Sequence, residues 1–348
     1  MCYTCTKNKL MKIGKINTDK KVFVVAEIGN NHEGNFDLAK KMIIEAAATG
    51  VDAVKFQTFI PEQFVSSKDQ SRLNRLRSFQ LNYKQFKELS KVAKKKGLIF
   101  FSTPLDIESA KFLNTIQPIF KISSGDNNFY SLIDTVASFG KSMIVSTGAA
   151  DINSLKNIYN IISRIWSSKK KNLQNLAFLH CVSSYPVPND QINLASIISL
   201  KKAFPGVVVG YSDHTLGIDA AVSSVLVGAR IVEKHFTLDK NYSDFRDHQL
   251  SADPLEMKMM VNKIRKTEKM LGKEEKKPQL CEKGMKIEGR RSIAVAYDLP
   301  IGTKLSGSHL IWVRPGIGFP PGEEKKIIGK KTCRNLKSGQ IIKKIDIK

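Results

Sequence analysis

Apolar and polar residues alternate along this chain in one repeated unit. A short continuous apolar run ends on a few polar residues, and a segment of helical periodicity follows. The runs are KVFVVAEIG (21–29), DAVKFQT (52–58), LIFFSTP (98–104), IFKISSGD (119–126), SMIVSTG (142–148), LAFLHCVSSYP (176–186), VVVGYSDH (207–214) and RIVEKHFTL (230–238). A strand buried by helices reads as an unbroken apolar run, and tolerates polar groups only where it opens into a solvated mouth. Strand, polar tip and helix, repeated eight times, predict a (β/α)8 TIM barrel of the α/β class with its functional residues at the carboxyl ends of the strands.

Helices are expected at roughly 35–49, 82–96, 151–166 and from 254 to Gly272, the third opening on Asp151 as a cap and the last stopping at glycine. The long polar stretch 61–80 reads as a mobile loop over the barrel mouth. A barrel needs about 250 residues, and the chain has 348, so a second module is expected. Residues 1–20 read as a polar, poorly ordered leader, with Met11 as a second candidate start. Residues 21–272 read as the barrel and the charged stretch 273–287 as a linker. From 288 to 348 the pattern changes to short β-like runs broken by turns such as Pro300-Ile301-Gly302, which predicts a small β-rich domain.

Composition narrows the class. Apolar content of 42% and charged content of 25% are those of an ordinary globular protein. No run has the ~20 consecutive apolar residues of a membrane helix, and the N-terminus lacks the apolar centre of a signal peptide. Five scattered cysteines give no disulfide framework, and Cys2 and Cys5 have no partners to complete a zinc site. The chain reads as a cytoplasmic protein. Its net charge of +24 invites a nucleic-acid reading. Lysine, however, outnumbers arginine about four to one and is spread over helix faces and tail rather than gathered in a stripe. The expectation is no nucleic acid, and a positive field that helps attract an anionic substrate.

The strand tips carry the chemistry. Lys55, Lys121, Ser124, Ser146 and Ser212 end strands two, four, five and seven, and ammonium and hydroxyl groups converging on a barrel mouth suit an anion, most simply a phosphate. His214 and His235 end strands seven and eight, which are neighbours in a closed barrel. Two imidazoles with a carboxylate such as Asp126 nearby suit a divalent transition metal. Glu27, followed by Asn30, Asn31 and His32, has the groups needed to grip a polyol. His180 is expected in the barrel wall and His309 in a structural role, while His248, on a loop, is open to either a substrate contact or a local role.

The segments AEIGNNHEG, DAVKFQT, FSTP, KISSGD, VSTG, HCVSSYP, GYSDHT and EKHFTLD, in this order, resemble the sialic acid (nonulosonic acid) synthase family, and the tail from about 288 resembles its C-terminal antifreeze-like SAF domain. Enzymes of that family condense phosphoenolpyruvate with an N-acetylated sugar aldehyde. The resemblance implies phosphoenolpyruvate on Lys55, Gln57, Lys121, Ser124, Ser146 and Ser212. It implies Mn2+ or Mg2+ on His214 and His235, and the amino sugar on Glu27 and Tyr185. Arg314 is implied to reach in from the partner of a domain-swapped homodimer. Glu27, Lys121 and Asp126 are the candidate catalytic residues, Asp126 as a group that orients the aldehyde or water. Two positions depart from the family. Asp126 stands where Glu is frequent, and Ser183 stands where Asn is frequent, beside the expected sugar. The smaller Ser183 points to a modified hexosamine, such as a 2,4-diacetamido-6-deoxy sugar. The alternatives are another phosphoenolpyruvate-dependent synthase of 3-deoxy sugar acids, or a non-catalytic polyanion-binding protein.

Overall fold

Period-two alternation within each strand builds the barrel from the inside outward. The computed structural model describes residues 11–348, which divide after Gly272 into two compact units. The first unit contains eight strands: β1 (Phe23–Gly29), β2 (Ala53–Thr58), β3 (Ile99–Pro104), β4 (Ile119–Ile122), β5 (Ser142–Ser146), β6 (Leu176–Cys181), β7 (Val208–Asp213) and β8 (Ile231–His235). All run parallel, in the order β3-β2-β1-β8-β7-β6-β5-β4. Phe23, Val25, Ala53, Phe101, Ile119, Ile144, Leu179, Val208 and Ile231 point inward and form one buried cluster. Residues of the other parity, such as Val24, Phe56, Phe120, Val145, Phe178 and Val232, pack beneath the helices. The inward parity of each strand continues upward into its polar tip, and that places the site.

Gly210 belongs to this inner face. A Cβ there would lie 2.4 Å from the carbonyl oxygen of Ile231 and 2.5 Å from Leu179, so only glycine lets β7 approach β8.

Ladder pairs are found between every pair of neighbouring strands except β3 and β4. A side chain bridges that seam. Gln117 Oε1 accepts from the backbone N–H of Ser102 (2.7 Å), and Gln117 Nε2 donates to the Ser102 carbonyl (3.2 Å). The amide takes the place of the missing ladder for both buried backbone groups. Gln117→Leu should therefore cost about 2–4 kcal/mol, since each orphaned group costs about 1–3 kcal/mol. A urea denaturation midpoint unchanged from wild type would show that the seam closes without it.

The helices start where short polar side chains cap them. Asn35 accepts from the N–H groups of Asp37 and Leu38 ahead of Phe36–Ala48, and Asn82 and Gln85 form a reciprocal capping box for Tyr83–Lys95. Asp151 caps Ile152–Ser168, and Asp253 caps Pro254–Leu271, which ends on Gly272 at φ +58°.

Two expectations are corrected. The stretch 61–80 is not a mobile loop but carries two helices, Pro61–Phe64 and Gln70–Phe79. Its polar content conceals the stripe Leu73, Leu76 and Phe79, which buries against Phe59, Val65 and Leu105. Residues 11–20 are not a poorly ordered leader either. Lys12–Ile13 and Ile16–Asn17 form an antiparallel hairpin whose Met11 and Ile13 join the inner barrel cluster. They plug the amino-terminal end of the barrel, each worth about 1.5–3 kcal/mol if fully buried. The remainder of the expected leader, with Cys2 and Cys5, lies outside the described residues.

The second unit, Lys273–Lys348, pairs Ser292–Val295 with Leu310–Val313 in an antiparallel ribbon. Ile293, Val295, Leu299, Leu305, Leu310, Ile327, Leu336, Ile342 and Ile347 form its core. Its first residues, which read as a linker, carry two short exposed turns of helix, Leu280–Glu282 and Met285–Glu288. Among the described residues no helix is long and apolar enough to cross a membrane.

Candidate active site

A cavity of about 980 Å3 opens at the carboxyl ends of the strands. Register sets its floor. Glu27 on β1 stands beside Lys55 on β2 and beside His235 on β8, while Glu233 on β8 stands beside Ser212 on β7. These side chains share the inward parity of the apolar residues beneath them, so they converge.

Glu233 is the hub. Its Oε1 lies 2.7 Å from Lys121 Nζ and 3.5 Å from Lys55 Nζ, and accepts a hydrogen bond from Ser212 Oγ at 3.0 Å. Lys55 Nζ also pairs with Glu27 Oε2 (2.9 Å) and donates to Thr103 Oγ1 (3.2 Å). All four charged groups are buried. Burial alone would push the Glu233 carboxyl up, but the ammonium groups of Lys121 and Lys55 outweigh it and hold it at about 2. Burial likewise pulls Lys55 down, and Glu233 and Glu27 outweigh it. Burial draws Lys121 below the ordinary lysine range, with Glu233 opposing. Its nearest partner, the Glu233 carboxylate at 2.7 Å, favours the ammonium form against that pull. Glu27 behaves differently. Burial first, and the neighbouring charge of Glu233, raise its carboxyl to about 7 against the pull of Lys55. It can therefore hold or release a proton near neutrality.

Around these charges stand hydroxyl groups. Ser146 Oγ is buried without a partner, as an open donor on the cavity wall. Ser124 Oγ accepts from the N–H of Gly148 at 3.1 Å. A Cβ at Gly148 would lie 2.3 Å from Ser183 Oγ and 2.7 Å from Ser124 Oγ, so glycine is what lets the two serines flank this point. Gln57 bridges Glu27 (Nε2 to Oε1, 3.3 Å) and Asn30, whose Nδ2 donates to Gln57 Oε1 at 2.9 Å. Asp126, raised by burial, is held by the hydroxyl of Ser123.

On the β6–β8 side, the rings of His214 and His235 lie 5.4 Å apart, and Tyr185 lies 4.1 Å from His214. His214 Nδ1 is 2.9 Å from the Val182 carbonyl, which places its proton on Nδ1 and leaves Nε2 a free lone pair. His235 is buried with Nδ1 unpartnered, and burial holds the ring neutral, well below the ordinary histidine range. Burial alone would pull His214 down, but Cys181 and the Val182 carbonyl outweigh it and raise the ring above the ordinary histidine range. Two imidazoles, His235 neutral and His214 once its Nε2 is deprotonated, fit a divalent cation that takes its other ligands from substrate and water. Among the described residues no three His, Cys, Asp or Glu side chains gather as a metal-binding group. Asp126, expected beside the histidines, lines the cavity without joining them in such a group.

Glu27, Lys55, Gln57, Lys121, Ser124, Asp126, Ser146, Ser183, Tyr185, Ser212, His214 and His235 all line this one cavity. Arg314 lies in the second unit, exposed, with no ion pair or hydrogen bond to its guanidinium among the described residues. His180 bonds through Nε2 to the Ile192 carbonyl in the barrel wall (2.8 Å), and His309 bonds to Ser306 in the second unit. His248 is buried away from the cavity lining, so it makes no direct ligand contact from this position. Sequence reasoning assigned Glu233 no role, although its parity with His235, two residues on, was the available signal. It also missed Arg246, which stacks 4.5 Å from the centre of the Tyr185 ring, and Asp247, whose buried Oδ1 makes no hydrogen bond and pairs with Arg246 at 3.6 Å.

Residues 42–276 match the NeuB family, and residues 290–348 match the SAF domain. The chain belongs to the NeuB family. An uncharacterized protein of Methanocaldococcus jannaschii is 41% identical to it over 95% of this chain and 97% of that protein. The N,N'-diacetyllegionaminic acid synthase of Campylobacter jejuni is 36% identical over 93% and 99%. Among solved structures, the N-acetylneuraminic acid (sialic acid) synthetase of Leptospira borgpetersenii, crystallised with citrate, superposes with a TM-score of 0.73. It is 33% identical, over 79% of this chain and 94% of that one. This NeuB-family chain thus carries its barrel and its SAF domain in the order that the sequence motifs imply.

Proposed function

We propose that the chain is a nonulosonic acid synthase, joining phosphoenolpyruvate to the aldehyde of an open-chain N-acetylated hexosamine with release of phosphate. The observation that carries this reading is the cavity floor. Lys55, Lys121, Ser212 and the unpartnered Ser146 hydroxyl converge on one side, the imidazoles of His214 and His235 on the other. C3 of phosphoenolpyruvate bonds to the aldehyde carbon, whose oxygen takes a proton. Water adds at C2, and the tetrahedral intermediate expels phosphate to leave a 2-keto acid. Lys55, Gln57, Lys121, Ser124, Ser146 and Ser212 hold phosphoenolpyruvate, and Glu27 and Tyr185 hold the sugar. Glu27, titrating at about 7, is suited to the proton transfers, and Asp126 to orienting the aldehyde or water. His214 and His235 would hold Mn2+ or Mg2+, which supplies Lewis-acid polarisation of the aldehyde when bound. The place of action is the cytoplasm. The SAF domain weighs against a synthase of simpler 3-deoxy sugar acids, and a walled cavity with buried charges weighs against a polyanion-binding surface.

Incubation with phosphoenolpyruvate and a panel of 2-acetamido and 2,4-diacetamido hexoses, read by mass spectrometry, tests the proposal. A 2-keto acid with the combined mass of the two substrates and one water, less phosphoric acid, is expected, and its absence with every sugar would refute the reading. Ser183 offers one hydroxyl where asparagine offers a larger amide. A 2,4-diacetamido-6-deoxy sugar should therefore be used at least as efficiently as N-acetylmannosamine, and Ser183→Asn should shift the ratio of kcat/KM towards the latter. An unchanged preference for N-acetylmannosamine in both proteins would contradict this view of Ser183.

Arg314, unpaired in its own unit, is proposed to complete the site of a partner subunit in a homodimer. Mixing inactive Arg314→Ala and His235→Ala chains should then restore part of the wild-type activity through one intact composite site. Freely exchanging chains that never complement would place Arg314 in its own subunit's site or in neither.

A further inference from the structure

Three segments that surround the cavity mouth are tied together by polar residues that do not line it, and by the pair Phe79 and Phe245 that does. Glu33, in the loop after β1, adopts φ +45°, a conformation a non-glycine residue holds only when its surroundings enforce it. Its Oε1 accepts from the Ser243 hydroxyl and lies 3.1 Å from His248 Nε2, both in the loop after β8. The other ring nitrogen of His248 lies 2.7 Å from Thr237 Oγ1, at the base of the same loop. Asn31 adds a second tie, donating to the Phe236 carbonyl (2.9 Å) and to Ser251 Oγ (3.0 Å). The helix Gln70–Phe79 closes the ring of contacts. Phe79 packs edge-on to Phe245 at 5.3 Å, and a Cβ on Gly34 would lie 2.0 Å from the Ser78 carbonyl oxygen. Between Phe245 and His248 stand Arg246, over the Tyr185 ring, and Asp247, whose buried Oδ1 makes no hydrogen bond and lies 3.6 Å from Arg246 Nε.

We infer that Glu33 and His248 are positioning residues for one end of the site: their tie, from a buried imidazole to a half-buried carboxylate, holds the loop after β8 so that Arg246 and Asp247 face the ligand beside Tyr185 and His214. A buried imidazole with both nitrogens engaged restrains the loop that carries it, and neighbouring polar ties reinforce one another. The tie acts on the imidazole end, not on the ammonium end at Lys55 and Lys121. It should therefore govern the sugar rather than phosphoenolpyruvate. That last assignment rests on the proposed function; the tie itself does not.

The test uses the full-length Glu33→Ala and His248→Asn variants, with Glu33→Gln as the variant that keeps an acceptor oxygen. Amide hydrogen exchange across 239–253 should quicken at least tenfold in the first two, with the barrel strands unchanged. With phosphoenolpyruvate and the better of N-acetylmannosamine or a 2,4-diacetamido hexose, KM for the sugar should rise at least tenfold. KM for phosphoenolpyruvate should stay within twofold, and Glu33→Gln should keep most of the wild-type behaviour. Exchange indistinguishable from wild type, or equal rises in both KM values, would overturn the inference. If the wild-type protein turned over neither sugar, the proposed function would fail while the exchange measurement still decided the tie.

Discussion

Glu233→Ala should destabilise the barrel by about 3–5 kcal/mol, the cost of leaving buried charges without their partner, and should abolish turnover. Lys121 and Lys55 would then face each other across the space their shared carboxylate fills. Burial already depresses Lys121 and Glu233 is the main group opposing it, so the variant would hold the Lys121 proton less firmly still. Glu233→Gln separates the two effects. It keeps the shape and an acceptor for Ser212, and it removes the anion that competes with substrate for both ammonium groups. The glutamine variant should fold with a smaller loss, bind phosphoenolpyruvate no more weakly than wild type, and turn over at least 100-fold more slowly, about 2.7 kcal/mol in the barrier. Urea denaturation with calorimetric titration of phosphoenolpyruvate measures both. Weaker binding by the glutamine variant would mean that Glu233 contacts the ligand favourably rather than holding its place.

A comparable loss is expected at the two histidines. If His214 and His235 hold a divalent ion, chelation should stop phosphate release and added Mn2+ or Mg2+ should restore it. Replacing either histidine with alanine should lower turnover by orders of magnitude while leaving the circular dichroism of the barrel intact. Neither substitution removes a structural partner on the scale of Glu233, since His235 Nδ1 has none and His214 Nδ1 meets only the Val182 carbonyl at 2.9 Å and, at 3.7 Å, the Cys181 sulfur. A metal-free preparation with full activity would rule out the ion.

Much of this was legible in the sequence because a barrel strand writes its own address. An apolar run states that the strand is buried, and its polar tip states which end opens to substrate. That is why twelve site residues drawn from strand ends and the turns after them fall on one cavity. What escaped the sequence has two physical causes. Glu233 lies below the rim, where a carboxylate is tolerable only beside two lysines from β2 and β4, and those contacts span 178 and 112 residues. Gln117 likewise looks like a loop residue until β3 is set beside it. The helix Gln70–Phe79 was hidden differently, because three apolar residues among ten suffice for a surface helix with one narrow buried face. The hairpin at Met11 was hidden because its burial depends on an empty barrel end, which no local pattern announces.

The most direct test of the account follows oxygen. In water enriched in oxygen-18, with phosphoenolpyruvate and a sugar that is turned over, water should add at C2 of the reacting enol ester. The released phosphate should then carry no label while the 2-keto acid of the expected mass forms. Labelled phosphate would mean that water attacks phosphorus rather than C2, and phosphate release with no joined product would mean that this cavity does not make the carbon–carbon bond.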